Sequence, residues 1–189
     1  MPGSTNPKHT LDLYLPPPAV REPPIVLFVH GGNWNSGDKR YHQAVTGLYG
    51  NIGVTLARQG VAVALVSYRL HPETGIAGML EDVARAVAFV RGEAARYGYA
   101  KDVVLMGHSA GGHLVTLLAC GRGLPAGVPL DRAGIAGVVA LSPVLDVKAM
   151  WANSKPDFRE RVIQPIFGST AGEQERWPPD GCCAGIGVR

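Results

Sequence analysis

A chain of 189 residues, 46% of them hydrophobic, is the size of one globular domain and long enough to bury about 70% of its unfolded surface. Its net charge of +3 comes from eighteen Lys and Arg residues scattered from Lys8 to Arg189 without a basic stripe, which argues against nucleic acid as a partner. The three cysteines, Cys120 and the adjacent Cys182 and Cys183, make no disulfide framework. No signal-like N-terminus and no run of about eighteen apolar residues is present, so a cytoplasmic protein with no membrane span is expected.

In chain order, alternation across Thr10–Leu15 predicts a short edge strand stopped by Pro16, Pro17 and Pro18, which cannot donate to a ladder. Ile25–His30 is a continuous apolar run broken by Gly31 and Gly32, the pattern of a strand buried on both faces. Gln43–Arg58 reads as a helix weakened by Gly47, Gly50 and Gly53 and ended by Gly60, followed by a second buried strand over Val61–Tyr68. In Ile76–Tyr97, apolar Ile76, Leu80, Val83, Val87 and Val90 recur at helical spacing, Glu81 precedes Arg85 by one turn, and Gly98 is the stop. Val103–Met106 is a third buried strand, Gly112–Cys120 a helix apolar almost all round, and Ile135–Leu141 a fourth strand closed by Ser142 and Pro143.

Buried strands alternating with helices predict an α/β fold, a mostly parallel sheet flanked by helices. Past Pro143 the pattern degrades through Met150, Trp151, Pro165 and Phe167. A single domain over 1–176 and a disordered tail over 177–189 are expected.

Two motifs carry chemistry. Gly107-His108-Ser109-Ala110-Gly111 matches G-x-S-x-G and lies straight after a strand and before a helix, where a strained turn would lift a serine hydroxyl out of the sheet edge. Small flanking residues let the strand and helix backbones approach, and the helix start favours the oxyanion that acyl transfer generates. With 25 glycines in the chain, the spacing alone can arise by chance, so its strand-turn-helix context is what gives it weight. The second motif, His30-Gly31-Gly32-Asn33-Trp34, follows the first buried strand. Its glycine pair is either a tight strand-to-loop turn or, with the Ala110 N–H, a set of amides aimed at a developing alkoxide.

With both motifs and Ser67-Tyr68-Arg69-Leu70, the stretch from about Ile25 to Asp146 resembles α/β-hydrolases whose oxyanion loop reads His-Gly-Gly-x-Trp, including kynurenine formamidases and small carboxylesterases. The resemblance implies Ser109 as nucleophile and Gly31, Gly32 and Ala110 as oxyanion hole. It places Trp34 and His30 at the substrate pocket, on a small ester or amide substrate with no cofactor and no metal. It also implies an acid after the strand that follows Ile135–Leu141 and a histidine near the C-terminus, yet no histidine follows His113.

Among the alternatives, His113 lies one turn along the helix from Ser109, a direction that does not serve the elbow, and reads as a surface or core histidine. His108 is expected to pack beside the elbow and His30 to orient the oxyanion loop, while His42 and His71 fall in loops. Asp146 is a possible acid with nothing to orient, and Asp102, Asp157 and Asp180 read as ordinary turn or loop carboxylates. The fold is therefore expected to be C-terminally incomplete, by truncation, splicing or a frame shift near Trp177.

Two functional readings stand. One is a serine hydrolase of carboxylic esters or aryl formamides. The other is a catalytically incomplete form that binds a ligand or pairs with another chain, self-association through the exposed edge of Ile135–Leu141 included. Metal-dependent and nucleotide-binding readings fail for want of ligand spacing or a phosphate loop after any strand.

Overall fold

The computed structural model describes residues 4–40, 47–128 and 130–177. Five strands form one sheet in the order β1-β3-β2-β4-β5: β1 Leu11–Tyr14, β2 Ile25–Val29, β3 Ala62–Val66, β4 Val103–His108 and β5 Ile135–Leu141. All neighbours are parallel except β1, which pairs antiparallel with β3 at the edge.

The unbroken apolar runs still obey the two-residue period of a strand. Ile25, Leu27, Val29, Ala62, Ala64, Val66, Val103 and Leu105 point to one face, where they join the main core. Phe28, Val63 and Leu65 point to the other, with Tyr49, Tyr14 and Met106 packed around them. Both faces are covered, so neither shows the polar alternation of a half-solvated sheet.

Helix α2 (Ile76–Tyr97) and helix α3 (Ala110–Cys120) cover the main-core face, and α1 (Gly50–Arg58) covers the other. Helix α2 has the expected bounds and ends on Gly98 in the left-handed conformation (φ 74°) that a helix C-cap favours. Helix α1 is shorter than the expected Gln43–Arg58. It begins at Gly50, after Gly47 turns left-handed (φ 62°), and residues 43–46 lie outside the described part.

Asp82 of α2 has no exposed side-chain surface and is held by Arg69, whose Nη2 lies 2.6 Å from its Oδ1, and by His9 Nε2 at 3.0 Å. One buried carboxylate thus ties the N-terminal segment and the loop after β3 to α2, and removing Arg69 would leave that carboxylate buried without its guanidinium partner.

Past Pro143 the chain is more ordered than its pattern foretells. It forms α4 (Val147–Asn153), α5 (Pro156–Phe158), a π-helical turn over Arg159–Ile163, α6 (Gln164–Phe167) and α7 (Ala171–Gln174). These pieces are too short for a helical period to emerge, and their signals are caps: Asp146 before α4, and Thr170 with Glu173 as a capping box on α7. Val147, Ile163 and Phe167 fix them to the main core.

Trp177, which the sequence assigns to the tail, is placed, and its carbonyl accepts a bond from His113 Nε2 at 2.8 Å. The rest of that tail, with Asp180, Cys182 and Cys183, lies outside the described residues. No helix of the described part is long and apolar enough to cross a membrane.

Candidate active site

Ser109 sits between β4 and α3 with φ 52° and ψ −117°, a conformation that costs a non-glycine residue about 1–3 kcal/mol and persists only where the surroundings impose it. The surroundings are visible. Its N–H donates to Leu141 O at the end of β5 (2.8 Å), and its carbonyl accepts the His113 N–H one turn into α3 (3.0 Å). The side chain is half-buried at the C-terminal edge of the parallel strands.

The glycines beside it are required by backbone approach. A Cβ on Gly111 would overlap the carbonyl oxygens of Val29 and His30, the latter at 2.5 Å, and one on Gly107 would stand 2.7 Å from Gly112 N. A side chain at either position would therefore push α3 away from β2 and β4.

The glycine loop after β2 lies next to the elbow. A Cβ on Gly31 would lie 3.2 Å from Ser109 Cβ and 2.9 Å from His108 Nδ1, so the two motifs, far apart in sequence, share one site. In one respect the loop differs from expectation. The Gly31 N–H does not face the cleft, because it donates to Tyr49 Oη at 3.0 Å. Gly32 N–H makes no hydrogen bond among the described residues, and Ala110 N–H opens a helix, where the first amides lack intrahelical acceptors.

Tyr49 was not singled out by sequence. Its ring packs on Phe28 (centroids 5.3 Å apart), and its hydroxyl lies 3.2 Å from His108 Nδ1 as well as accepting from Gly31, so it couples loop to elbow. Nothing in the local pattern around a lone tyrosine at a helix start signals this.

His30 and Trp34 stand behind the loop. His30 is fully buried and stacked on Tyr68 (4.4 Å), and its Nδ1–H donates to Gly31 O at 2.7 Å, since a carbonyl only accepts. Burial pushes its pKa down to about 4, against the raising effect of that hydrogen bond. Tyr68 donates from Oη to His30 O at 3.1 Å, which fixes the same turn from the other side.

Trp34, 1% exposed, meets His113 and Phe167 edge-on at 5.4 and 4.8 Å. It braces the loop from within the core, whereas the resemblance put it at the acyl pocket.

His113 is a core residue. Burial lowers its pKa to about 4, opposed by the bond to Trp177 O, and its Nδ1 has no hydrogen-bond partner among the described residues. Among the described residues no histidine bonds the Ser109 hydroxyl, and His42 lies outside them.

Asp146, the possible acid, is exposed and accepts the Ala149 N–H at 2.8 Å as the N-cap of α4. Asp146→Ala should therefore lower stability by about 1 kcal/mol in urea titrations. A catalytic role would show instead as a loss of activity that Asp146→Asn, which still caps, shares. No group of three or more His, Cys, Asp or Glu among the described residues is placed to hold a metal ion.

The geometry has relatives. The family model described as BD-FAE matches residues 11–177. Over 109 residues the chain is 36% identical to the probable isoprenylcysteine alpha-carbonyl methylesterase of Arabidopsis thaliana, covering 57% of this chain and 21% of that protein. Over 108 residues it is 32% identical to the kynurenine formamidase of Salmo salar, covering 57% and 33%. Esterase B of Lactobacillus rhamnosis, solved in an inhibited form, superposes with a TM-score of 0.76 at 27% identity, over 97% of this chain and 60% of that one. The chain thus spans a third or less of these two curated relatives and three-fifths of the solved esterase.

Proposed function

The chain belongs to the BD-FAE family, with the fold of α/β-hydrolase esterases, and on that premise we propose that it is a serine hydrolase of small carboxylic esters or aryl formamides. The observation that carries the reading is the meeting of the strained Ser109 elbow with the glycine loop, a Gly31 Cβ position standing 3.2 Å from Ser109 Cβ. Relatives named as a methylesterase, a formamidase and an esterase support this breadth of substrate.

In the proposed reaction Ser109 Oγ bonds to the substrate carbonyl carbon while a base takes its proton. The carbonyl electron pair moves onto oxygen, which the Gly32 and Ala110 amides receive. Each such donor is worth about 3 kcal/mol in the transition state. Collapse restores the carbonyl, expels the alcohol or aryl amine with the returned proton, and leaves an acyl-enzyme that water opens to the free acid. Gly31 makes the close approach, and His30, Tyr68 and Tyr49 hold the loop in place for it.

The second reading, a catalytically incomplete chain, is favoured by one observation: the Ser109 hydroxyl has no histidine partner among the described residues. An unassisted serine is a weak nucleophile, although an oxyanion hole and binding alone sustain about 10³-fold over water.

A fluorophosphonate probe followed by peptide mass spectrometry tests the nucleophile. The expected result is one adduct on Ser109, lost in Ser109→Ala. A folded wild-type chain that stays unlabelled, or a label that survives the substitution, overturns the assignment. Nitrophenyl acetate then separates the two readings, since a complete enzyme exceeds the Ser109→Ala rate by about 10³-fold or more and an incomplete one does not.

A further inference from the structure

Two consecutive residues just past β3 hold both ends of the glycine loop. Tyr68 Oη donates to His30 O at the near end (3.1 Å), and Ser67 Oγ, in a residue only 2% exposed, donates to Asp38 Oδ2 at the far end (3.0 Å). The Ser67 oxygen also accepts the Lys39 N–H at 3.2 Å, so one hydroxyl fixes side chain and backbone together.

Asp38 gathers the far end. Its Oδ1 accepts the Arg40 N–H at 3.0 Å and its Oδ2 meets Lys8 Nζ at 3.2 Å, while the same lysine donates to Gly37 O at 3.0 Å. Burial works against the charge, yet the bonds from the Arg40 amide, Ser67 and Lys8 hold the carboxyl below its usual range. The pair with Lys8 is partly exposed and worth little alone, so the Arg40 and Ser67 bonds do most of the fixing.

Any shift of Asp38 reaches the elbow through one layer of backbone. Gly37, with φ 99°, lies so near the start of the loop that a Cβ there would stand 2.5 Å from Gly31 O and 2.9 Å from His30 Nδ1. Ser36 is locked to Gly32, whose carbonyl accepts both its N–H (2.9 Å) and its hydroxyl (2.8 Å). The far limb thus packs directly on Gly31 and Gly32, and close-packed backbone transmits displacement rather than absorbing it.

We propose that Asp38 is the positioning residue of the glycine loop: by closing the far end, its carboxylate holds the Gly32 amide at the Ser109 elbow. The kinetic consequence rests on Ser109 being the nucleophile of a hydrolase. The structural consequence does not.

Wild type, Asp38→Ala, Asp38→Asn and Ser67→Ala, each as the full chain, are compared by two readouts. One is the rate constant of fluorophosphonate labelling at Ser109, and the other is hydrogen exchange of the Gly31 amide, which donates to Tyr49 Oη. In Asp38→Ala, labelling should slow by about 10- to 100-fold, the scale of a misplacement of about 1 Å at a reacting centre. Gly31 exchange should quicken about tenfold, while the amides of β4 exchange as in the wild type.

Ser67→Ala deletes one of the bonds and should move both readouts the same way by less; it carries the test if circular dichroism shows Asp38→Ala unfolded. Asp38→Asn, which still accepts from Arg40 and can donate to Ser67, should recover most of the loss.

Three results overturn the proposal. One is Gly31 exchange unchanged in both alanine variants. Another is a rise shared equally by the β4 amides, which makes Asp38 a contributor to global stability alone. The third is faster Gly31 exchange with labelling at the wild-type rate, which separates the anchor from the elbow. A wild type that never labels, with the Gly31 effect present, sinks the hydrolase reading and supports the anchor, so the two failures are told apart.

Discussion

Gly111→Ala should destabilise the protein by at least about 3 kcal/mol, or prevent folding altogether, although alanine is the better helix former by about 1 kcal/mol. Gly111 lies in the first turn of α3 with ordinary helical dihedrals, so no left-handed conformation demands a glycine there. What demands it is β2, whose Val29 and His30 carbonyls occupy the place a Cβ would take.

Backbone cannot swing aside as a long side chain does, so the helix must translate away from the sheet. That movement would strip contact from Leu114, Val115, Leu117 and Leu118, all fully buried on α3. It would also separate Ser109 from the glycine loop, so any folded remnant should fail to label with the fluorophosphonate probe.

Gly92→Ala is the control. Gly92 is exposed within α2 with nothing within 4 Å of its Cβ position, so the same substitution should stabilise by about 0.5–1 kcal/mol in urea titrations. If the two variants shift alike, close backbone approach is not what holds α3 to β2.

These two glycines mark what sequence could and could not disclose. The central strands were legible because a buried parallel strand is an unbroken apolar run cut by glycine, and the bounds of α2 and β5 fall where periodicity and punctuation put them. The elbow was legible for a related reason: only a strand followed directly by a helix can raise Ser109, and both neighbours were readable.

The direction of each loop amide was not legible. That the Gly31 N–H turns to Tyr49 depends on a residue eighteen positions away, packed on Phe28 from the other face of β2. No local period encodes such a contact.

Trp34 teaches the same point. A tryptophan after a glycine pair fits a pocket wall or a core brace equally well in sequence. It is the packing of Phe167 and His113 that decides for the brace. The helices after Pro143 escaped because each spans one or two turns, too little for amphipathicity to show, while the capping box at Thr170 and Glu173 was there to be read.

Acid should unfold this protein well above the pH at which carboxylates alone would do so, because two histidines are buried uncharged. His30 and His113 both have pKa values near 4 in the fold, lowered by burial, against about 6.5 in an unfolded chain. Below pH 6.5 the unfolded chain therefore binds protons that the folded one refuses.

The sign follows directly. Stability is unaffected by these groups above pH 6.5, falls as pH drops from 6.5 toward 4, and levels off below, each histidine costing on the order of 3 kcal/mol across that window. A domain of this kind holds only about 5–15 kcal/mol in all, so two such losses reach the scale of its whole stability.

Urea titrations at half-unit steps from pH 7.5 to 4.5 should show a slope approaching two protons near pH 5. In His113→Gln, which keeps a donor for the Trp177 carbonyl, stability at pH 7 should be lower through lost ring packing on Trp34 and Phe167, but the slope should fall to one proton. A wild-type profile flat down to pH 5 would mean that one or both imidazoles take up protons in place, and that the wall behind the glycine loop is wetter than its packing implies.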